Sequence, residues 1–472
     1  MINLSQHNSG LAPTSPSTGG GRGEAGGGRT SLVVLGGGES GVGAAILAKK
    51  EGYDVVLMDE GSLKAGYRSE LEAAGIAFLE GSIDGEKLLA AAEVVKSPGI
   101  PEKNEWVKKI RAKGIPVISE IELAYRHKGD SRIIAITGSN GKTTTTSLIY
   151  HICKVGELDC ALVGNIGYSF ARQVAEDPKP LYVCEISSFQ LDDILTFRPD
   201  VAVLLNITED HLDRYNYQFE NYAAAKFRIM MNQLPTDHFI YNEDDEVIVN
   251  HLKHNSITAN QLPITMKKEV AKGAQIKDNE LQVKTGNEPL EMSVYDFALK
   301  GKHNQYNTMA ACVAGSTMDI RKNKIREAVQ TFSSLEHRME PVLTVRGVDF
   351  INDSKATNVN STWYALESMT KPTVLIMGGV DKGNDYSLIM ELIQEKVKTI
   401  VCMGTDNSKI EAAFKDVVPV VSTGNAEDAV KAAFAAAVPG DAVLMSPACA
   451  SFDLFRNYED RGTQFKNAVK NL

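Results

Sequence analysis

A chain of 472 residues is too long for one ordinary domain, and roughly two to four are expected. A hydrophobic fraction of 43% suits packed globular cores, and a net charge of −10 argues against nucleic acid as a partner and against attraction to an anionic membrane surface. No apolar run is long enough to insert into a bilayer, and no basic-then-apolar leader opens the chain. Cys153, Cys160, Cys184, Cys312, Cys402 and Cys449 are scattered without CxxC spacing, as expected of reduced thiols in a cytoplasmic protein.

Residues 1–30 are rich in Gly, Ser, Thr and Pro and are expected to form a disordered tail. From Ser31 the pattern changes. "SLVVLGG" reads as a buried parallel strand, "ESGVGAAILAKKEG" as a helix and "YDVVLMDE" as the next strand. The alternation continues through "EVVKSPGIP" and "KGIPVISE" to a polar break at 126–132. A second region has strand candidates at 133–137, 159–163, 180–186 and 200–206. "FSSLEHRMEP" interrupts it, and a third region follows with strands near 373–377, 399–403 and 442–446. The expected fold is α/β, with a Rossmann-like domain over 31–129, a P-loop ATPase-like domain over 130–333 and a second Rossmann-like domain over 334–472. The unusual polar clusters fall just after the strands, at the carboxyl edge where open α/β sheets bind ligands.

"ITGSNGKTTTT" (136–146) carries the sharpest signal. Gly138 and Gly141 let backbone N–H groups surround an anion, the helix that follows adds its positive dipole end, Lys142 supplies a point charge, and Thr143 offers a hydroxyl to Mg²⁺. Gly36, Gly38 and Gly41 form G-x-G-x-x-G after a strand, with Asp59 ending the next one. Alone this fits a dinucleotide, another nucleotide, or glycines needed only for packing. Glu185, in the strand "LYVCEISS", is costly to bury unless it is paired or on a metal. With Thr143 it offers the oxygen donors that a hard cation prefers. His211 stands between Asp210 and Asp213 in "NITEDHLDRY", which favours a metal role.

Lys226 is the odd residue. A helix over "FENYAAAKFRIMMNQL" puts Phe219, Tyr222, Lys226 and Met230 on one face. Its ammonium either snorkels to water or is buried, depressed in pKa and reactive. In "NDSKATN", Asp353, Lys355 and Thr357 alternate, so an extended backbone would put them on one side, facing an anion and a ribose. Asn304 and Asn307 would share a helix face near a base. Cys449 reads as a small buried residue.

"TGSNGKTT", "EISSFQL", "NITEDHLDRY", "YAAAKFRI", "GKHNQYN", "EHRME", "NDSKATN" and "SPACASFDLFRNYEDRG", in that order, closely resemble the Mur ligases over about residues 31–472. "DSKATN" and "SPACASFD" resemble the member that adds D-glutamate, whereas the phosphate loop is common to a wider group that includes folylpolyglutamate synthase. The resemblance implies an ATP-dependent ligase that joins D-glutamate to UDP-N-acetylmuramoyl-L-alanine through an acyl phosphate, in peptidoglycan precursor synthesis, working as a cytoplasmic monomer. It assigns ATP to Gly138, Ser139, Asn140, Gly141, Lys142, Thr143 and Thr144, with Asn304, Asn307, Arg338 and Asp353. It assigns the UDP substrate to Glu39, Ser40, Asp59, Glu60, Ser97, Pro98 and Gly99, and its sugar and alanyl end to Asn165, Ser187 and Gln190. D-glutamate falls to Lys355, Thr357, Lys382, Ser451, Phe452 and Tyr458. Two Mg²⁺ sites are implied, one at Thr143 and Glu185 and one at His211 and a Lys226 carbamylated by CO₂; Lys142, Glu185, His211 and Lys226 form the catalytic set. An acidic Glu39 beside a pyrophosphate is a departure, and that side chain is expected to turn away or to meet uracil. The rival readings are a sibling or folylpolyglutamate-type ligase with another amino acid, an NAD(P)-dependent oxidoreductase, and a non-catalytic nucleotide-binding regulator.

Overall fold

The computed structural model describes residues 30–472 apart from 287, 333–335 and 382. The expected tail over 1–30 therefore lies, but for its last residue, outside the described residues, and so does Lys382. Three sheets follow one another along the chain. The first is wholly parallel: β1 (Ser31–Leu35), β2 (Asp54–Asp59), β3 (Ala77–Glu80), β4 (Glu93–Lys96) and β5 (Val117–Ile118), in the order β3-β2-β1-β4-β5. The chain reverses its direction of travel at β1, and the first glycine loop leaves that strand.

The second sheet has nine strands. They are β6 (Arg132–Thr137), β7 (Cys160–Gly164), β8 (Leu181–Glu185), β9 (Val201–Leu204), β10 (His238–Asn242), β11 (Asn260–Thr265), β12 (Gly273–Lys277), β13 (Glu280–Lys284) and β14 (Leu290–Ser293). Their order is β14-β13-β12-β11-β10-β9-β6-β8-β7, with β6 between β8 and β9, so the phosphate loop leaves the crevice where the order reverses. Five of the six residues of β6 are buried, which is why it reads as one apolar run. The last three strands form an antiparallel ribbon that the sequence reading did not anticipate.

The third sheet comprises β15 (Glu340–Val345), β16 (Val348–Asn352), β17 (Thr373–Met377), β18 (Val397–Met403), β19 (Val420–Thr423) and β20 (Ala442–Met445). Its order, β15-β16-β20-β17-β18-β19, makes β16, β20 and β17 neighbours. "NDSKATN", "SPACASFD" and "GGVDKGN" therefore leave adjacent strands on one edge. These three α/β units bear out the expected fold class. No helix among the described residues is long and apolar enough to cross a membrane.

Two local expectations fail. The helix expected over 219–234 spans only Phe219–Phe227 before tightening into the 3₁₀ turn Arg228–Met230. The side chains beyond it are drawn to the 191–199 segment: Arg228 donates to the Leu191 and Ile194 carbonyls, and Asn232 to those of Leu195 and Phe197. The segment 353–357 is a turn rather than an extended strand, because the Ala356 N–H returns to the Asp353 carbonyl at 2.9 Å. Asp353, Lys355 and Thr357 thus do not share one side of a strand.

Candidate active site

The phosphate loop joins β6 to the helix Lys142–Val155, whose N-cap is Gly141 at φ 81° with no side chain on the free N–H groups. That uncapped end leaves N–H donors of the kind that can take an anion. Only glycine fits at 141, since a Cβ there would lie 2.4 Å from Asn307 Oδ1. The loop is held from outside. Asn206 Oδ1 accepts from Asn140 N–H at 2.8 Å, its Nδ2 donates to the Asn140 carbonyl at 3.1 Å, and Ser139 Oγ lies 2.9 Å from the Tyr222 hydroxyl. Lys142 Nζ folds back onto the Gly138 and Ser139 carbonyls, both at 2.8 Å. Burial lowers its pKa, while Glu185 and Asp210 act to raise it.

Lys226 does not snorkel. It is 1% exposed, its Nζ donates to the same Gly138 carbonyl at 2.8 Å, and it lies 4.6 Å from the Tyr222 ring centroid. Burial, and then the nearby Lys142 charge, hold its pKa well below the usual lysine range. Glu185 is equally buried. Its Oε1 accepts from Asn165 Nδ2 at 2.8 Å, but its Oε2 is buried with no partner. An orphaned carboxylate oxygen is expensive, so it points to a ligand. Together with Thr143 it fits a hard cation such as Mg²⁺. His211, at φ 51°, caps a short 3₁₀ turn, with Nε2 3.7 Å from Asp210 Oδ2 and its ring edge-on to Phe189. His211 and Lys226 fit a metal only once the amine has become an anion. Among the described residues no set of three or more His, Cys, Asp or Glu is gathered as a ready-made cage.

A cavity of about 720 Å³ opens between the second and third sheets. Asn140, Gly141, Thr144, Asn304, Asn307, Arg338 and Asp353 all line it, whereas Glu185, His211 and Lys226 do not. Asn307 Nδ2 donates to Asn304 Oδ1 at 3.0 Å, so the expected pair does share a helix face. Asp353 accepts from Ser446 Oγ at 2.8 Å, and burial raises its pKa to about 6. Arg338 Nε is buried without a partner. Sequence reasoning missed several walls of this cavity: Asn206, and the pair His303 and Glu367, whose Nδ1 and Oε2 face each other at 3.9 Å from helices flanking it. His303 lies inside the quoted "GKHNQYN", so position in a motif was its available signal.

Lys355 stands in the turn that follows β16. Its Nζ lies 5.5 Å from the Tyr458 ring, and its pKa is lowered to about 8 by burial and then by Arg338, with Lys142 also lowering it and Glu185 raising it. Ser451 is buried nearby in sequence to Phe452, which stands 71% exposed.

On the first sheet two side chains are already occupied. The Glu39 carboxylate turns to Arg172, which donates through Nε at 2.9 Å and Nη2 at 3.3 Å, and it also accepts from the Ser169 N–H. A nearly buried guanidinium holds it there. Asp59 accepts from Gly37 N–H at 2.5 Å and Gly61 N–H at 2.7 Å, shaping the glycine loop from within. Ser97 Oγ reaches the Gly36 carbonyl at 3.4 Å, and Glu60 accepts from Asn104 Nδ2 at 3.5 Å. Arg214 clasps the next loop, donating to the Pro98, Gly99 and Ile100 carbonyls at 3.0–3.4 Å while stacking 4.3 Å over Phe189. Ser187 and Gln190 cap one another's short helix in a reciprocal pair.

Three α/β sheets around an orphan-lined cleft with a phosphate loop define a nucleotide-dependent ligase architecture. Family models match three successive stretches: "Mur ligase MurD-like, N-terminal domain" over 30–119, "Mur ligase middle domain" over 136–315 and "Mur ligase, glutamate ligase domain" over 337–449. The chain belongs to the Mur ligase family. Within it, the chain is 50% identical to a UDP-N-acetylmuramoylalanine--D-glutamate ligase of Christiangramia forsetii over 442 residues, 93% of this chain and 99% of that one. It is 51% identical to the protein of the same name from Bacteroides fragilis, again over 93% of this chain and 99% of that one. Among solved structures, the UDP-N-acetylmuramate-alanine ligase of Thermotoga maritima superposes with a TM-score of 0.61 at 17% identity, over 94% of this chain and 100% of that one. A MurF ligase of Thermotoga maritima, solved in complex with ADP, gives 0.58 at 15% identity, over 88% and 95%. These two likenesses concern the fold.

Proposed function

We propose that this protein joins the amino group of D-glutamate to the alanyl carboxyl of UDP-N-acetylmuramoyl-L-alanine at the expense of ATP, a step in peptidoglycan precursor synthesis. What carries the reading is the cavity that Asn140 and Gly141 of the phosphate loop, at a helix end free of capping side chains, line together with Arg338 and Asp353 from the third unit. The relatives named above supply the choice of substrates. We divide the chain into a UDP-substrate domain (31–129), an ATP domain (130–333) and an amino-acid domain (334–472), acting as a monomer in the cytoplasm.

A carboxylate is a poor acylating agent, since neither oxide nor hydroxide leaves readily. An alanyl carboxylate oxygen attacks the γ-phosphorus, the bond to the β-phosphate oxygen breaks, and ADP leaves. The amine then attacks the acyl carbon, phosphate departs, and the nitrogen loses one proton. The chain supplies the surroundings. The uncapped helix at Gly141 and Lys142 hold the phosphates, and Lys142 exchanges its two carbonyl contacts for phosphate oxygens. Arg338 and Asp353 take the nucleotide from the third sheet, with Asn304 and Asn307 at the base. Thr143 with Glu185 would hold one Mg²⁺, and His211 with a Lys226 carbamate the other; bound there, the ions offset charge between two reacting anions. The depressed Lys226 amine attacks CO₂ and loses a proton, becoming the carboxylate the second site lacks. Lys355 pairs with a carboxylate of the incoming amino acid, with Thr357, Ser451, Phe452 and Tyr458 as the other residues assigned to it. Asn165, Ser187 and Gln190 face the sugar and alanyl end, and Ser40, Asp59, Glu60 and 97–99 the uridine diphosphate.

The test is phosphate release by purified protein with ATP, Mg²⁺ and the UDP-sugar-alanine, across a panel of amino acids. Release that depends on D-glutamate supports the reading. Equal release with L-glutamate, or a stronger response to another amino acid, replaces it.

A further inference from the structure

Arg338 reaches the cavity by an unusual backbone route. The residues on either side of it, His337 at φ 65° and Met339 at φ 44°, are both left-handed, and neither is glycine. Such residues are uncommon, and a pair of them persists only where surrounding contacts over-determine the conformation. Those contacts are visible. The His337 imidazole is 5% exposed, and its Nδ1 accepts from Asn352 Nδ2 at 2.9 Å, which leaves the ring proton on Nε2. Gly462, on the helix Tyr458–Lys470, makes the slot: a Cβ there would lie 2.2 Å from Nδ1. The His337 N–H donates to Glu340 Oε2 at 2.8 Å, and its carbonyl accepts from the Lys355 N–H at 3.0 Å. The Met339 N–H donates to Asp353 Oδ1 at 3.2 Å. The ring thus anchors a kink whose neighbours are Arg338, Lys355 and Asp353, and the Arg338 Nε it presents is buried without a partner beside a cavity that Asn140 and Gly141 also line.

We propose that His337 is a positioning residue: its ring, wedged between Asn352 and Gly462, holds the 337–339 kink that aims Arg338 at the phosphate side of the nucleotide cavity. The inference deepens the ATP-dependent reading and rests on it for the ligand. The ring touches no substrate; it acts through Arg338.

The test is ATP binding by titration calorimetry of the full-length protein, alongside turnover and thermal midpoint. Gly462→Ala, outside the cavity, pushes the ring without removing it, and His337→Val forbids the left-handed backbone. Each is expected to weaken ATP binding about tenfold or more. His337→Asn tolerates the left-handed conformation and keeps a short acceptor for Asn352, so its ATP affinity stays within about threefold of wild type. In an Arg338→Ala background the His337→Val effect on ATP affinity should vanish, because both changes remove the same interaction. Affinity for the UDP-sugar should move in none of them. Wild-type ATP affinity in Gly462→Ala, full additivity with Arg338→Ala, or equal weakening of every substrate overturns the proposal. If His337→Val and Gly462→Ala fail to fold, His337→Asn in the two backgrounds decides: a loss there of tenfold or more that adds to Arg338→Ala also overturns it. ATP binding without ligation in the wild-type protein would instead refute the ligase reading and leave this one to be judged on binding.

Discussion

Two glycine loops leave two parallel strands and open two helices, and neither helix has a side chain capping its first N–H groups. They differ in what surrounds them. In the first loop the polar groups pair among themselves: Asp59 takes the Gly37 and Gly61 N–H groups, Ser97 approaches the Gly36 carbonyl, and Glu39 is tied to Arg172. In the second, the buried Lys226 and the half-buried Lys142 converge on the single Gly138 carbonyl, and Glu185 Oε2 and Arg338 Nε have no hydrogen-bond partner among the described residues. The first is a finished shape that receives a ligand. The second is electrostatically unfinished, and on the proposed reading phosphate, cation and carbamate would complete it. A glycine pattern alone cannot separate these cases; the charges buried beside it can.

The widest break in that comparison is at Lys226. Lys226→Ala should lower phosphate release by on the order of 10³-fold or more, with the fold intact. Short-chain carboxylates should restore part of the activity by standing in for the carbamate. Full activity in this variant would mean that the second loop does not need completing. No residue of the first loop should approach this effect.

Much of that contrast was legible in the sequence, and the reasons for the rest are local. Buried parallel strands such as β6, β8 and β17 are largely apolar runs, so their positions were readable. The ribbon β12–β14 is built of short strands, and β13 and β14 bury only alternate residues, so it escaped notice. Its turn, Asp278-Asn279 with both φ positive, was a hairpin signal that was available. Lys226 was conspicuous because a lysine on an apolar face is a local anomaly. The Glu39–Arg172 contact spans 133 positions, and the 337–339 kink depends on a glycine in the last helix. No local pattern encodes either one.

A second, smaller effect sharpens the contrast through Lys355, which is half-buried and whose pKa is lowered to about 8 from an ordinary 10.5. Between those values the unfolded chain holds a proton that the folded one lacks. The native state is therefore penalised in full below about pH 8 and relieved as pH rises toward 10.5. Lys355→Met should accordingly stabilise the protein at pH 7, by roughly 2–3 kcal/mol at most, an advantage that disappears by pH 10.5. The same variant should lose about 10–100-fold in kcat/KM for the amino acid. In the wild type, kcat/KM for the amino acid should fall as pH rises through about 8, because the charged ammonium is the binding form. A flat profile there, or a less stable Lys355→Met, would contradict a charge held in place for its ligand.

Arg214 comes next, since it joins the two halves of the comparison. Its guanidinium grips the Pro98–Ile100 carbonyls from the segment that carries His211. Arg214→Ala should raise KM for the UDP-sugar about tenfold while leaving ATP affinity within about twofold, because only the seating of the first domain's loop changes. Parallel losses for both substrates would show that the clasp serves the whole cleft.

The smallest effect on activity is expected at Glu39, and it is the most direct test of the finished loop. A carboxylate at the mouth of a pyrophosphate site should repel its ligand unless its charge is already neutralised. Arg172 offsets that charge in part, although Glu70 and Glu176 share the same guanidinium through its Nη1. Glu39→Gln keeps the shape and removes the charge. Since the side chain is a third exposed, the lost ion pair should cost only about 1 kcal/mol of stability. Affinity for the UDP-sugar should stay the same or improve slightly, because the substitution removes a negative charge and no ligand contact. A several-fold loss of UDP-sugar affinity at unchanged stability would instead make Glu39 a reader of uracil, and the first loop as unfinished as the second.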